Sequence, residues 1–290
     1  MTSPILESVE SFDVAYEFTA TTFKKTSRLP HPPETLPDGR IFIWFRSWNH
    51  ERITNEAKAL EFVAKNTTIP VPRLIEHGIH PDGRRYLITE RLDGIMLHDI
   101  EEQGCLRPKT QQHTEGKVCK TCVDQAYSSA LAFITDVFLP QLSKLKSKER
   151  GLDGFVMPPR WLSIDTQPPW KGNKAAFQTL PRKTAEYHFQ HGDLAAHNIM
   201  MDRETLQVKA VLDWEYAGFY PAGMNRWSGT LDMEAYRSLC VDLGPAIAEF
   251  LAEEYLECYE TWPDQKQLER LVRDGEIPDP VKLKKKLGSC

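Results

Sequence analysis

The segment from residue 189 to residue 220 constrains this chain of 290 residues more than any other. It reads FQHGDLAAHNIMMDRETLQVKAVLDWEYAGFY, with short apolar runs at 199–201 and 208–212 on either side of the polar residues 202–205. Two such runs around a polar turn predict a β-hairpin. A hairpin brings the residue that precedes its first strand beside the residue that follows its second strand.

Oxygen-bearing side chains flank this predicted hairpin. Asn198 precedes the first strand and Asp213 follows the second, so both are predicted to lie at one mouth. Asp193, five residues before Asn198, lies on the same loop. Phosphoryl transfer from a nucleotide needs a carboxylate that faces the acceptor hydroxyl and hard oxygen ligands that hold Mg²⁺ against the phosphates. The alternative is a loop whose Asp and Asn residues only cap turns.

The order of these residues matches the catalytic loop and metal-binding aspartate of kinases. It resembles the aminoglycoside phosphotransferase and choline kinase-like family. Two further segments, IPVP at 69–72 and YLITE at 86–90, resemble the fungal branch of that family. The motif residues that carry the resemblance are His191, Gly192, Asp193, Leu194, Asn198 and the LDWE of 212–215.

The resemblance covers most of residues 41–221 and implies a fold. The expected architecture is α+β, a protein kinase-like fold of two lobes. Residues 1–92 would form a small antiparallel-sheet lobe that covers the nucleotide. Residues 93–290 would form a larger, mainly helical lobe that carries the catalytic loop, the metal site and the substrate helices.

The resemblance also implies roles for the residues around the hairpin. Asp193 would accept or orient the proton of the acceptor hydroxyl. His191 would brace the catalytic loop. Asn198 and Asp213 would hold Mg²⁺ on the phosphates of ATP or GTP and so neutralise the charge that develops during transfer.

The N-terminal part of the chain departs from the kinase pattern. That pattern has glycines in a hairpin over the phosphates and a lysine on the third strand. Residues 14–23 predict a strand, but the first glycine is Gly39. The apolar run 41–45, interpreted as the lysine-bearing strand, contains no lysine. Arg46 is the nearest cation that could replace it, although a planar guanidinium is not equivalent to an ammonium.

Three further segments complete the predicted nucleotide side. A helix over 55–65, with Thr54 as its N-cap, would place Glu56 in its first turn. The resemblance implies that Glu56 is the partner of the strand lysine, although an acidic residue in a first turn is also favoured by the helix dipole. Residues 73–78 and 84–90 predict a second hairpin. Residues 90–94 would then form the connector between the lobes. The family resemblance implies that Glu90, Arg91 and Leu92 of this connector hold the adenine edge; an ordinary linker between lobes is compatible with this role.

Composition excludes some classes of function. A net charge of −5, from 36 basic and 41 acidic residues, gives no electrostatic case for a nucleic-acid partner. No apolar run approaches the length of a membrane span, so we expect no membrane partner and a cytoplasmic location. The six cysteines are interpreted as reduced thiols. A zinc site from Cys105, His113, Cys119 and Cys122 is the alternative.

These patterns favour an ATP-dependent phosphotransferase that acts on a hydroxyl of a small molecule. Eight acidic residues within 231–260 favour a cationic acceptor, while a solvated helix face explains the same residues. The competing hypothesis is a catalytically inactive kinase fold that serves as a binding or regulatory module. The missing glycine loop and strand lysine support it. A protein kinase is disfavoured because no Ala-Pro-Glu follows Asp213.

Overall fold

The computed structural model describes residues 4–44, 46, 48–103, 119–149, 151–152, 187–221, 227–239, 252, 255–256, 259–260, 264–274 and 278–287. The strands are β1 Glu7–Glu10, β2 Val14–Phe18, β3 Thr22–Ser27, β4 Glu34–Thr35, β5 Ile41–Phe42, β6 Leu74–Ile79, β7 Arg85–Glu90, β8 Ile95–Met96, β9 Lys146–Ser147, β10 Tyr187–Gln190, β11 Ile199–Met201, β12 Val208–Val211 and β13 Gly218–Pro221. The helices are α1 Asn49–Asn66, α2 Ile100–Gln103, α3 Lys120–Phe133, α4 Leu139–Leu142, α5 at 233–239, α6 Gln265–Arg273 and α7 Pro280–Leu287. A π-helical turn, Ile134–Phe138, joins α3 to α4.

The small lobe is built on a five-stranded antiparallel sheet with the order β1-β2-β3-β7-β6. Helix α1 packs on one face of this sheet, where Ile53 and Ala57 are buried with Val14 and Leu87. Burial of these apolar side chains fixes the helix against β2 and β7. The small antiparallel lobe of the predicted α+β, protein kinase-like fold is confirmed.

Two predictions for the N-terminal region are wrong. Residues 14–23 form a hairpin of β2 and β3, because the Thr19 hydroxyl accepts a hydrogen bond from the Thr22 amide at 2.9 Å and closes a turn. Among the described residues 41–44 of the run 41–45, only Ile41–Phe42 is a strand, and it pairs with β4 outside the main sheet. Its apolar side chains stay near the surface, and Ile41 is 73% exposed. The third strand of the sheet is therefore β3.

Helix α1 begins at Asn49, six residues before the predicted start. Thr54 is therefore not its N-cap, and Glu56 does not lie in its first turn. The early turns were missed because they carry polar residues that a periodicity argument assigns to solvent. Asn49 is buried, and its side-chain amide donates to the Asp13 carbonyl at 2.7 Å.

The core of the large lobe lies around residues 189–220, the segment that contains the predicted hairpin. Strand β11 pairs with β12 and β8, and β10 pairs with β13 and β9. Trp214 is fully buried, and its ring packs against Phe189 and Phe138 at centroid distances of 6.3 and 5.8 Å. Its indole N–H donates to the Val211 carbonyl at 2.9 Å. The turn after β12 is thus anchored in the core.

Two predicted hairpins are confirmed. The hairpins β6/β7 and β11/β12 form at the predicted positions. The described residues contain no helix that could cross a membrane. Cys119 and Cys122 are buried, whereas Cys105 and His113 of the alternative zinc site lie outside the described residues.

Gly192, in the loop between β10 and β11, cannot be replaced without strain. Gly192 has a φ of +81°, and a Cβ there would lie 2.3 Å from the Tyr216 carbonyl oxygen. We expect Gly192→Ala to lower the free energy of unfolding by about 2–5 kcal/mol, from left-handed backbone strain plus overpacking. Gly229→Ala is the control, since its φ is +78° but nothing lies within 4 Å. Urea unfolding of both variants checks this, and equal losses would contradict it.

Candidate active site

A buried lysine lies where the small lobe meets the large one. Lys25 on β3 is 5% exposed at its side chain. The preceding residue, Lys24, lies on the other face of the sheet, as strand alternation requires. The Lys25 ammonium donates to three carboxylates at 2.7, 2.9 and 2.8 Å, which belong to Glu56, Asp213 and Glu215. Strand β3, helix α1 and the turn after β12 are therefore joined at one cation.

The prediction that Arg46 replaces a missing strand lysine is wrong. Lys25 contacts Glu56, whereas the Arg46 guanidinium donates to Asp13 at 2.8 Å and to Glu215 at 3.3 Å. The error arose because the strand was assigned to the apolar run 41–45. Strand β3 reads TFKKTS, which lacks the apolar alternation that identifies a strand. Its place as the third strand of the meander is the signal that could have identified Lys25.

Glu215 is a second residue of the site to which sequence reasoning gave no role. Its side chain is 3% exposed, and the Arg52 guanidinium donates to both of its oxygens at 2.6 Å. The Asn55 side-chain amide donates to the carbonyls of Glu215 and Ala217 at 3.0 and 2.9 Å. Helix α1 is thus fastened to the turn after β12 by charged and neutral hydrogen bonds. The acidic residue in the LDWE motif was the available signal.

Burial and neighbouring charges shift the pKa values of the groups in this cluster in different directions. Burial would raise the pKa of Glu215, but the charges of Lys25 and Arg52 lower that pKa to about 2. Burial raises the pKa of Glu56 to about 7, against the opposing effect of Lys25. Burial would lower the pKa of Lys25, but its three carboxylates raise that pKa well above the ordinary value. Lys25 and Glu215 are therefore charged near neutral pH, and Glu56 takes up a proton most readily.

The loop between β10 and β11 is held together by His191 and Asn198. The Asp193 amide donates to His191 Nδ1 at 3.2 Å, so the neutral ring carries its proton on Nε2 and donates to the Leu212 carbonyl at 2.8 Å. Burial lowers the pKa of His191, which favours this neutral form. The Asn198 side-chain amide donates to the Asp193 carbonyl at 2.7 Å and to Asp193 Oδ2 at 3.2 Å. Together these bonds tie the loop to the end of β12.

The carboxylate of Asp193 is ionised and largely covered. Its Oδ1 accepts a hydrogen bond from the Tyr236 hydroxyl, and its side chain is 17% exposed. Burial would raise the pKa of Asp193, but the nearby His197 ring and the hydrogen bond from Tyr236 lower that pKa to about 2. Sequence reasoning did not single out Tyr236. No local pattern connects two residues that are 43 positions apart.

Two cavities meet at these residues. The first, of about 650 Å³, is here called the connector cavity. The second, of about 400 Å³, is here called the carboxylate cavity, and Asp193 and Tyr236 line it. Lys25 and Asp213 line both. The lining of the connector cavity includes six residues that the sequence predicted for the nucleotide or the metal: Glu56, Glu90, Arg91, Leu92, Asn198 and Asp213.

The donor set at the mouth of the hairpin fits a small divalent cation. The amide nitrogen of Asn198 is committed to Asp193, which leaves its carbonyl oxygen as the atom for a cation. The Asp213 side chain is 36% exposed, on a residue held at a φ of 58°. Amide and carboxylate oxygens suit Mg²⁺. Carboxylate oxygens of Glu56 and Glu215 also lie within 4.8 Å of one from Asp213, but Lys25 already occupies that cluster.

The charge on Glu215 predicts an acid-dependent loss of stability. Its pKa is lowered from 4.5 to about 2 on folding, so its contribution is complete above pH 4.5 and is lost as the pH falls towards 2. We expect about 3 kcal/mol of the unfolding free energy to depend on this carboxylate over that range. Glu215→Gln should therefore unfold with a weaker pH dependence below pH 4.5.

Urea unfolding midpoints between pH 5 and pH 2.5 measure this difference. The control is Glu61→Gln, on the exposed face of the same helix that carries Arg52. It should keep the pH dependence of the original protein. Equal slopes for Glu215→Gln and the original protein would show that Glu215 is not held as an ion in the folded state.

Comparison with known proteins bears on the family. Comparison with curated protein sequences finds no match. The GDP complex of an aminoglycoside 2'-phosphotransferase-IIIa mutant aligns at 14% identity and a TM-score of 0.45, covering 93% of this chain and 92% of that one. Aminoglycoside phosphotransferase APH(3'')-Id from Streptomyces rimosus aligns at 15% identity and 0.43, covering 90% and 87%. Residues 139–268 match the model of the Phosphotransferase enzyme family, which confirms the resemblance that the motif around Asp193 carries, while the fungal branch stays a prediction.

Proposed function

We propose that this protein transfers the terminal phosphoryl group of ATP or GTP to a hydroxyl of a small molecule, with Mg²⁺. The observation that carries the proposal is that Lys25 and Asp213 line both cavities, with Asp193 in the carboxylate cavity. A nucleotide in the connector cavity would present its phosphates to Lys25 and Asp213. An acceptor in the carboxylate cavity would approach the phosphates from the side of Asp193.

The connector cavity supplies what a nucleotide needs. Its volume of about 650 Å³ is that of an ordinary cofactor pocket. Backbone groups of Glu90, Arg91 and Leu92 would bind the base edge. Lys25 would contact the phosphates, the role first assigned to Arg46. Asn198 and Asp213 would hold Mg²⁺, which when bound supplies positive charge to the phosphate oxygens.

Asp193 would orient the acceptor. With a pKa of about 2 it is a weak base, so positioning of the hydroxyl matters more than early removal of its proton. Phosphoryl transfer passes through a loose transition state with little demand for a strong base. His191 would contribute by holding the loop, since its two ring nitrogens are engaged by Asp193 and Leu212.

The charge of the carboxylate cavity favours a cationic acceptor over an anionic one. Its described lining has one more negative than positive side chain: Asp13, Asp193, Asp213 and Glu215 against Lys25, Arg46 and Arg52. Of the acidic residues in 231–260, those described are Asp232, Glu234 and Glu260, and none is among this lining. The support for a cationic acceptor therefore comes from the cavity itself.

One argument for an inactive binding module is removed by the structure. A strand lysine is present as Lys25, and it contacts Glu56. The turn between β1 and β2 has no glycine, but Asp13 in this turn accepts from Arg52 at 3.0 Å and from Arg46 at 2.8 Å. The covering turn is held by side chains instead. We therefore favour the catalyst.

Nucleotide binding is tested by melting temperature. A ligand that binds only the folded state raises apparent stability. We expect millimolar Mg-ATP or Mg-GTP to raise the melting temperature, and Lys25→Met to abolish the rise because a phosphate partner is lost. Lys24→Met is the matched control, since this lysine lies on the other face of the sheet. Lys25→Arg keeps a charge there should Lys25→Met unfold. An equal rise in all variants would remove Lys25 from the nucleotide site.

Catalysis is tested with purified protein, Mg-ATP and a panel of hydroxylated amines. Asp193→Asn should lower turnover by about 10²–10⁴-fold, because it removes the carboxylate that positions the acceptor. Asp202→Asn, in the exposed turn of the β11/β12 hairpin, is the control and should leave turnover unchanged. N-acetylated forms of the same amines should react more slowly. Turnover that does not depend on Asp193 would contradict the assignment.

A further inference from the structure

Tyr236 is firmly placed beside Asp193. It lies at the start of helix α5, which Asp232 begins by accepting from the amides of Glu234 and Ala235 at 3.0 and 2.8 Å. The Tyr236 amide donates to the Asp232 carbonyl at 3.1 Å. From this turn the Tyr236 hydroxyl donates to Asp193 Oδ1. The contact thus comes from a capped helix start.

The two oxygens of Asp193 are not equally available. Oδ2 accepts from Asn198 at 3.2 Å and lies 3.7 Å from His197 Nε2. The Tyr236 ring packs edge-on against the His197 ring, with centroids 5.7 Å apart. Oδ1 is then the oxygen left for an acceptor hydroxyl, and the phenol of Tyr236 already lies on it.

We propose that Tyr236 controls access of the acceptor, because its hydroxyl occupies the place on Asp193 Oδ1 that the acceptor hydroxyl takes. The acceptor binds by displacing the phenol, so Tyr236 is a specificity-determining residue of the acceptor site. This inference rests on the proposed function. Displacement of the ring also enlarges the carboxylate cavity, which Tyr236 lines.

Water serves as the acceptor in the test, since the natural one is not identified. ADP release is measured with Mg-ATP and no added acceptor, for the original protein and for Tyr236→Phe. The variant keeps the ring but frees Oδ1 for water, so hydrolysis should rise about ten-fold or more, the worth of one hydrogen bond to a charged group. The KM for ATP should not change. Tyr86→Phe, which removes a surface hydroxyl bonded to Glu76, is the control and should not alter hydrolysis.

Each result speaks for or against the inference. Unchanged or slower hydrolysis by folded Tyr236→Phe overturns it. A lower melting temperature of this variant without faster hydrolysis overturns it as well. Phosphate found on Tyr236 of the original protein by mass spectrometry supports it. In that case the phenol oxygen bonds to the terminal phosphorus, the phenolic proton passes to Asp193 and ADP leaves.

The proposed function is judged separately. The rise in melting temperature with Mg-ATP, and its loss in Lys25→Met, report on the nucleotide site without any acceptor. If that rise is present but neither the original protein nor Tyr236→Phe releases ADP, the inference about Tyr236 is overturned while the nucleotide site stands. If the rise is absent and ADP release is also absent in both proteins, the proposed function fails with it.

Discussion

The geometry of the cleft depends on one buried ammonium. An unpaired charge in a protein interior costs far more than a typical domain can supply, so Lys25 is stable only with carboxylates around it. Those carboxylates come from Glu56 on α1 and from Asp213 and Glu215 after β12. The need to pair Lys25 therefore positions strand β3 and helix α1 of the small lobe against the turn after β12 in the large lobe.

Arg46 and Arg52 connect this charged cluster to the turn between β1 and β2. Arg52 donates to Glu215 at 2.6 Å and to Asp13 at 3.0 Å, so it connects the turn after β12 with the turn between β1 and β2. Kinases use glycines at that turn so that the backbone can approach the phosphates. Here an aspartate clamped by guanidinium groups determines the position of the turn. A turn without glycines can be held in place in this way, at the cost of its freedom to move.

The parts of the site that the sequence predicted are those with local signals. The β11/β12 hairpin follows from two apolar runs around a polar turn, and its ends place Asn198 and Asp213 at one cavity. Lys25 was missed because its strand has no apolar alternation and its partners lie 31 to 190 residues away. The polar start of α1 was missed for the same reason, since the buried Arg52 pairs with Asp13 and Glu215, which are distant in sequence. Long-range pairing of charges leaves no periodic pattern along the chain.

The threefold pairing of Lys25 also bears on how a site of the proposed function would change when loaded. A divalent cation held by Asp213 would compete with the ammonium for the same carboxylate, whose side chain is the most exposed of the three. Lys25 would still keep Glu56 and Glu215 as partners, so release of Asp213 would leave no buried charge unpaired. A lysine with one carboxylate partner could not make this exchange at low cost. Glu215 would therefore keep Lys25 paired if Asp213 held a metal ion.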